Sequence, residues 1–300
     1  MQKVIGIDLG GTKINGGVVD EEGNILKKLR VDTQSKAGRE IVLENIKNLI
    51  KELIKDEKIE GIGLGSPGFI DTDKGRVVYN GGNIENWAGV HIKEELSREF
   101  DNIPVHVEND ANVALICEEW VGAGKGLDTI VMITLGTGVG GGIWSKTQGI
   151  WHGNNYQGAE LGHSILYPMG RQCNCGQKGC VEQYISGRGI ERTYFEKTGK
   201  NLKGAEIFKN REKDKICNEV VEIFIRDLSI FLVSIKNIFD PEGLIIGGGV
   251  INSREYWWKD MLEYYKSYCN APIGMKILPA KYLNDAGVIG AGKLAFDNIL

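Results

Sequence analysis

The sequence predicts an α/β fold in two domains, on three observations. Short apolar strands alternate with helical segments along the whole 300 residues. A strand, a glycine turn and a second strand occur twice, within 5–20 and 131–146, as if two related halves each presented one such turn. No Pro/Ser-rich stretch divides the chain, so the domains should be joined by close packing around a cleft.

The elements follow in order. Residues 4–9, 14–20 and 25–31 read as three consecutive short strands, and 40–55 carries Ile, Leu and Val at helical spacing. "IEGIGLG" at 59–65 is another strand. After a loop rich in Gly and Asn, 90–100 reads as a helix, "VHVEN" at 105–109 as a strand and "DANVALICEEW" at 110–120 as a helix with Asp110 near its start. Strands resume at 129–135 and 140–144. Much of the remainder is helical, notably 214–238, followed by the strand "LIIGG" at 244–248 and helices over 256–268 and 286–299.

Composition narrows the function classes. The formal net charge is −4 and the Lys and Arg residues are dispersed, which gives no electrostatic footprint for nucleic acid. Glycine contributes 42 of 300 residues, about double the ordinary ~7%. These glycines gather at particular turns, where backbone must approach something closely. No apolar run reaches membrane-spanning length, and "MQKVIGIDLGG" has neither a signal-peptide core nor a cleavage site, so the expected address is cytoplasmic. In a reducing compartment closely spaced cysteines more often bind metal or do redox work than form disulfides. Cys117, Cys217 and Cys269 stand alone and read as packing residues.

The first chemical signal is "IGIDLGGTKINGGVVD" at 5–20. A strand delivers Asp8 to its end, Gly10 and Gly11 make a tight turn, and Thr12 and Lys13 offer polar contacts. Such a turn can wrap N–H groups around a phosphate while the aspartate helps to hold Mg²⁺; standing alone it could equally be an ordinary hairpin. "VMITLGTGVGGGIWSK" at 131–146 repeats the plan, with Thr134 on the strand and Gly136, Thr137 and Gly138 in the turn. Gly136, Gly138 and Gly141 formally satisfy G-x-G-x-x-G, but that motif needs a helix after the turn, and "GGIW" continues as strand. A Walker loop is absent too. A third site, Gly247, Gly248 and Gly249, ends a buried strand and would suit the flat face of a nucleotide base.

The ordered set of motifs resembles the ROK family of sugar kinases and sugar-responsive repressors. It runs from "DLGGTK" (8–13) through "SPG" (66–68), "ENDAN" (108–112), "LGTGVGGG" (135–142), "GAELGH" (158–163), "CNCGQKGCVEQYISG" (173–187) and "GGG" (247–249) to "GVIGAGKLA" (287–295). The resemblance implies two ribonuclease-H-like α/β lobes of the actin and hexokinase type, with sugar and ATP in the cleft between them. The expected division is 1–118 with a returning C-terminal helix at 286–300 as the smaller lobe, and 119–285 as the larger. Repressors of this family carry a helix-turn-helix segment ahead of the first turn, and here that turn begins near residue 5. The kinase branch is therefore expected.

A sugar hydroxyl is a poor nucleophile, so a carboxylate must take its proton while Mg²⁺ and backbone amides hold the triphosphate. The resemblance assigns that base to Asp110, which could also serve as the helix N-cap. Asn109 is expected to touch a neighbouring hydroxyl. Glu160, His163 and Glu182 are implied to reach the sugar, with Ser66, Gly68 and Asn83 on its other side; Asn83 could instead be a turn residue beside Gly81 and Gly82.

His163, Cys173, Cys175 and Cys180 form H-x9-C-x-C-x4-C, a Cys₃His set suited to structural Zn²⁺ with no open position. The metal would pin the loop that carries His163 and Glu182. Its loss is expected to weaken sugar binding more than ATP binding, because the turns at Gly10 and Gly136 lie elsewhere in sequence. The reading is a glucokinase-like enzyme acting on the 6-hydroxyl of glucose, a homodimer or homotetramer without nucleic-acid or membrane partners. Alternatives are kinases of N-acetylmannosamine, N-acetylglucosamine, fructose, mannose or allose. A non-catalytic sugar sensor or an actin-fold ATPase would be a different class of protein.

Overall fold

The computed structural model describes residues 2–55, 57–100, 103–271 and 274–299. In chain order the elements are β1 (Lys3–Leu9), β2 (Lys13–Asp20), β3 (Ile25–Asp32), α1 (Arg39–Ile54), β4 (Ile62–Ser66), β5 (Phe69–Asp71), β6 (Arg76–Tyr79), α2 (Ile92–Glu99), β7 (Val105–Asn109) and α3 (Asp110–Trp120). There follow β8 (Thr129–Leu135), β9 (Val139–Ser145), β10 (Gly149–Ile150), α4 (Glu182–Ile185), α5 (Gly187–Thr198), α6 (Gly204–Lys209) and α7 (Lys215–Phe239). The chain closes with β11 (Gly243–Gly247), α8 (Trp258–Tyr268), β12 (Lys276–Pro279) and α9 (Ala286–Phe296).

Two compact units result. One comprises Met1–Gly126, Ile150–Gly158 and Lys281–Leu300; the other comprises Leu127–Gly149 and Ala159–Ala280. The sheet of the first has the order β3-β2-β1-β4-β7, and that of the second β10-β9-β8-β11-β12. In each, the first strand of the glycine turn pairs antiparallel with the next strand and parallel with a later one: β1 with β2 and β4, β8 with β9 and β11. The repeated plan legible in the sequence is thus a repeated topology, that of ribonuclease-H-like lobes of the actin and hexokinase type.

Burial explains which strand goes where. β1 is apolar on both faces, with Val4, Ile5, Ile7 and Leu9 fully buried, as a strand covered by helices on both sides must be. β3, at the sheet edge, alternates half-buried and exposed positions and carries Lys27, Lys28 and Arg30. One side of this sheet is covered by α1 through Val42, Ile46, Leu49, Ile50 and Leu53. The other receives α9 at backbone contact: a Cβ on Gly63 would lie 1.8 Å from the Ala291 carbonyl oxygen. In the second unit α7 places Val220, Phe224, Leu228 and Ile235 in the core at helical spacing.

The unit boundaries differ from the expected cuts at 118 and 286. Glu118, fully buried, accepts the N–H of Ala123 (2.8 Å) through Oε2 and those of Lys281 (2.9 Å) and Tyr282 (2.8 Å) through Oε1. That one carboxylate keeps both flanking segments with the first unit. Residues 150–158 join it as well, and the two units are of comparable length, so the expected difference in size is not found. The β5–β6 hairpin, β12 and the 3₁₀ segment Gly249–Tyr256 were not anticipated.

Candidate active site

In the first unit the parallel pairings line up the carboxyl ends of three neighbouring strands: Asp8 stands opposite Gly65 in β1–β4, and Ser66 opposite Asn109 in β4–β7. In parallel α/β sheets this edge is where ligands bind. The Gly10 N–H closes the β1–β2 turn on the Lys13 carbonyl (2.9 Å), and Thr33 braces it by donating to Gly10 O (2.7 Å). Gly11 and Thr12 complete the turn, while the Lys13 ammonium pairs with Asp32. Asp8 accepts from Asn15 Nδ2 (3.1 Å) and lies against Gly287 at the start of α9. Burial pushes its carboxyl above the ordinary range, and the Asn15 bond only partly offsets this. An acid so placed gains from a cation.

The N-cap of α3 is Asn109 and not Asp110. Asn109 Oδ1 accepts from the N–H groups of Ala111 (2.8 Å) and Asn112 (3.3 Å), and its Nδ2 donates to the Gly68 carbonyl (3.0 Å). Its amide is therefore engaged in holding the helix start and the Gly68 turn. Asp110 becomes the first helical residue, half-buried, with Oδ1 accepting the Ala111 N–H at 2.9 Å. Ser66 is fully buried: it accepts from the Trp87 indole (3.0 Å) and donates to the Pro67 carbonyl (3.1 Å), so it supports the turn from beneath instead of facing outward. Asn83 is exposed in the loop after Gly81 and Gly82.

Beneath Asn109 lies a pair that motif reading missed. The buried Glu108 accepts the Asn109 N–H (2.7 Å) and Asn112 Nδ2 (2.9 Å) on Oε1, while Oε2 meets His152 Nε2 at 2.6 Å. The bond to Glu108 raises the His152 pKa against the opposing effect of burial, and the charges of Glu108 and Asp73 add to it. Glu108 stood inside "ENDAN", but nothing in the sequence tied it to a histidine 44 residues away.

In the second unit β8 and β11 run parallel with Thr134 opposite Gly247. This brings the strand end at Gly247, Gly248 and Gly249 beside the turn of Gly136, Thr137 and Gly138, which closes through Gly136 N–H to Gly138 O at 3.0 Å. β9 follows the turn as a strand, so the Rossmann geometry is excluded here.

His163, Cys173, Cys175 and Cys180 present ligand atoms all within 4.8 Å of one another. Cys175 Sγ and Cys180 Sγ are 3.6 Å apart, and Cys173 Sγ is 3.8 Å from His163 Nδ1. Tetrahedral Zn–S bonds of about 2.3 Å place two sulfurs about 3.7 Å apart, so the set fits zinc. A hairpin turn gathers it, with Cys173 N–H on Gln177 O (2.9 Å). Burial, then the neighbouring thiols, push Cys180 up to about 12. Such a thiol needs a cation to stay ionised. His163 turns Nδ1 toward the sulfurs and Nε2 toward Glu160 Oε2 at 3.8 Å. Burial, with the Glu182 charge, raises the Glu160 pKa, and His163 opposes the shift.

Glu182 corrects one expectation. Its Oε2 accepts the Val139 N–H at 3.0 Å, and Gly187 N–H donates to Gly136 O at 2.8 Å. The segment leaving the cysteine cluster is bonded to the very turn that sequence distance had set apart from it.

The sequence profile of the ROK family matches residues 4–298. This chain belongs to the ROK family. It is 34% identical to a glucokinase of Thermotoga maritima, over 99% of this chain and 98% of that one. Among solved ROK structures, the hexokinase of Thermus thermophilus matches at TM-score 0.88 and 33% identity, covering 99% of each chain. A Streptomyces griseus ROK glucokinase in complex with glucose and AMPPNP matches at TM-score 0.85 and 31% identity, covering 99% of this chain and all of that one (100%). Among the described residues of this ROK chain no helix is long and apolar enough to cross a membrane.

Proposed function

We propose that this chain is an ATP-dependent hexose kinase that phosphorylates the 6-hydroxyl of glucose. The observation that carries the reading is Asp110, set by the Asn109 cap at the carboxyl end of β7 in a ROK chain similar throughout to glucokinases. The hydroxyl oxygen forms a bond to the γ-phosphorus, the bond from that phosphorus to the β–γ bridging oxygen breaks, and the hydroxyl proton passes to the Asp110 carboxylate. Asn109, Gly68 and Asn83 belong to the sugar side in the first unit, with Ser66 supporting them. Glu160, His163 and Glu182 offer the carboxylates and imidazole that a polyhydroxyl ligand needs in the second.

The turns at Gly10–Lys13 and Gly136–Gly138 supply backbone N–H groups for phosphates, and Gly247–Gly249 lies beside the latter for the nucleotide. Asp8 would hold Mg²⁺, which when bound neutralises charge on the transferring phosphates. His163, Cys173, Cys175 and Cys180 would hold Zn²⁺ as an ordering element. We read the protein as a cytoplasmic homo-oligomer. Incubating the purified protein with ATP, Mg²⁺ and a panel of hexoses and N-acetylhexosamines, and following ADP, tests the reading. Release fastest with glucose is expected; a preference for another sugar would reassign the substrate, and no sugar-dependent release would refute the kinase.

A further inference from the structure

We propose that Glu182 is a positioning residue for the phosphate turn as well as a sugar-facing carboxylate. The inference rests on reading Gly136–Gly138 as a nucleotide turn. Four observations carry it.

The Val139 N–H, at the exit of the turn, donates to Glu182 Oε2 at 3.0 Å. A Cβ on Gly138 would lie 2.2 Å from the same oxygen, so the carboxylate rests directly on the turn and only glycine admits it there. A second bond comes from the same segment, Gly187 N–H to Gly136 O at 2.8 Å, so both ends of the turn are tied to one stretch of chain. That stretch is itself immobilised: Cys180, Val181, Ile185 and Ser186 are all at most 1% exposed.

Physically, a turn that must aim several N–H groups at an anion works only if its backbone is fixed beforehand, because ordering it on binding would cost conformational entropy. A hydrogen bond to a side-chain acceptor that its own segment holds in place is such a fixing. Glu182 supplies it from an anchor 43 residues away in sequence. The other oxygen of the same carboxylate, Oε1, lies 4.0 Å from Cys173 Sγ in the cluster that includes His163. One side chain therefore reaches from the turn to the cysteine–histidine cluster.

The test is AMPPNP binding by calorimetry without sugar, in wild type, Glu182→Gln and Glu182→Ala. Gln keeps an acceptor for the Val139 N–H and Ala removes it. The expected result is affinity within about threefold of wild type for Gln and a loss of about tenfold for Ala, the size of one such bond. Zinc content and melting temperature establish that the variants are folded. Should Ala fail to fold, Gly138→Ala, which must displace the carboxylate, is expected to show the same loss. Wild-type affinity in folded Glu182→Ala, or equal losses in Gln and Ala, would overturn the proposal while leaving the nucleotide reading intact. Failure of the wild type itself to bind AMPPNP would instead overturn the nucleotide reading, and the proposal with it.

Discussion

His152 Nε2 lies 2.6 Å from Glu108 Oε2, and the other oxygen of that carboxylate accepts the backbone N–H of Asn109. The pair sits one residue beneath the cap that sets Asp110. The Glu108 bond raises the His152 pKa in the folded state. A raised histidine pKa contributes stability that is fully present below the unfolded value and is lost as pH rises through the folded one. Melting temperatures of wild type and His152→Gln, compared from pH 5.5 to 9, should therefore converge with rising pH. A gap independent of pH would show that the contact is not an ion pair.

Asp110→Asn keeps an oxygen for the Ala111 N–H and so preserves the start of α3, while removing the proton acceptor. Turnover should fall by roughly 10² or more with sugar affinity changed far less. Steady-state rates with parallel calorimetry decide it, and near-normal turnover would reject Asp110 as the base.

Asp8, held by Asn15 and pressed against Gly287, already carries the cost of a buried carboxyl. Asp8→Ala should raise the Mg²⁺ and ATP concentrations needed for half-maximal rate. Metal titrations unchanged from wild type would leave Asp8 a structural brace.

Cys175→Ser should release zinc, measured by metal analysis, and lower the melting temperature. The bonds from Glu182 and Gly187 to the Gly136 turn predict that glucose and AMPPNP binding both weaken. Full AMPPNP affinity in the zinc-free variant would show that the turn keeps its shape without the cluster.

Ser66→Ala should cost about 1–3 kcal/mol of stability, because the buried Trp87 indole loses its acceptor. Chemical denaturation measures the loss. Turnover of the folded variant should fall much less than in Asp110→Asn; an equal fall would return Ser66 to the sugar contacts.

Elements and motifs encoded by local pattern can be read from the residues alone. β1 and β8 were legible as short, mainly apolar strands, α7 as a helical period, and the two glycine turns as a repeated plan, because side-chain burial repeats at the period of its own element. The Cys₃His set was legible because three of its members lie within eight positions. Other features depend on contacts between distant segments. Asn109 and Asp110 are both good caps, and the bond from Asn109 to the Gly68 carbonyl, 41 residues away, helps to hold Asn109 in that place. Ser66 is hidden because Trp87 folds over it, and β12 exists because β11 offers it an edge. The pairs Glu108–His152 and Glu182–Val139 join residues more than 40 positions apart. No periodicity carries such pairs: each depends on where two separately folded segments meet, and that is fixed by packing of the sheets and helices between them.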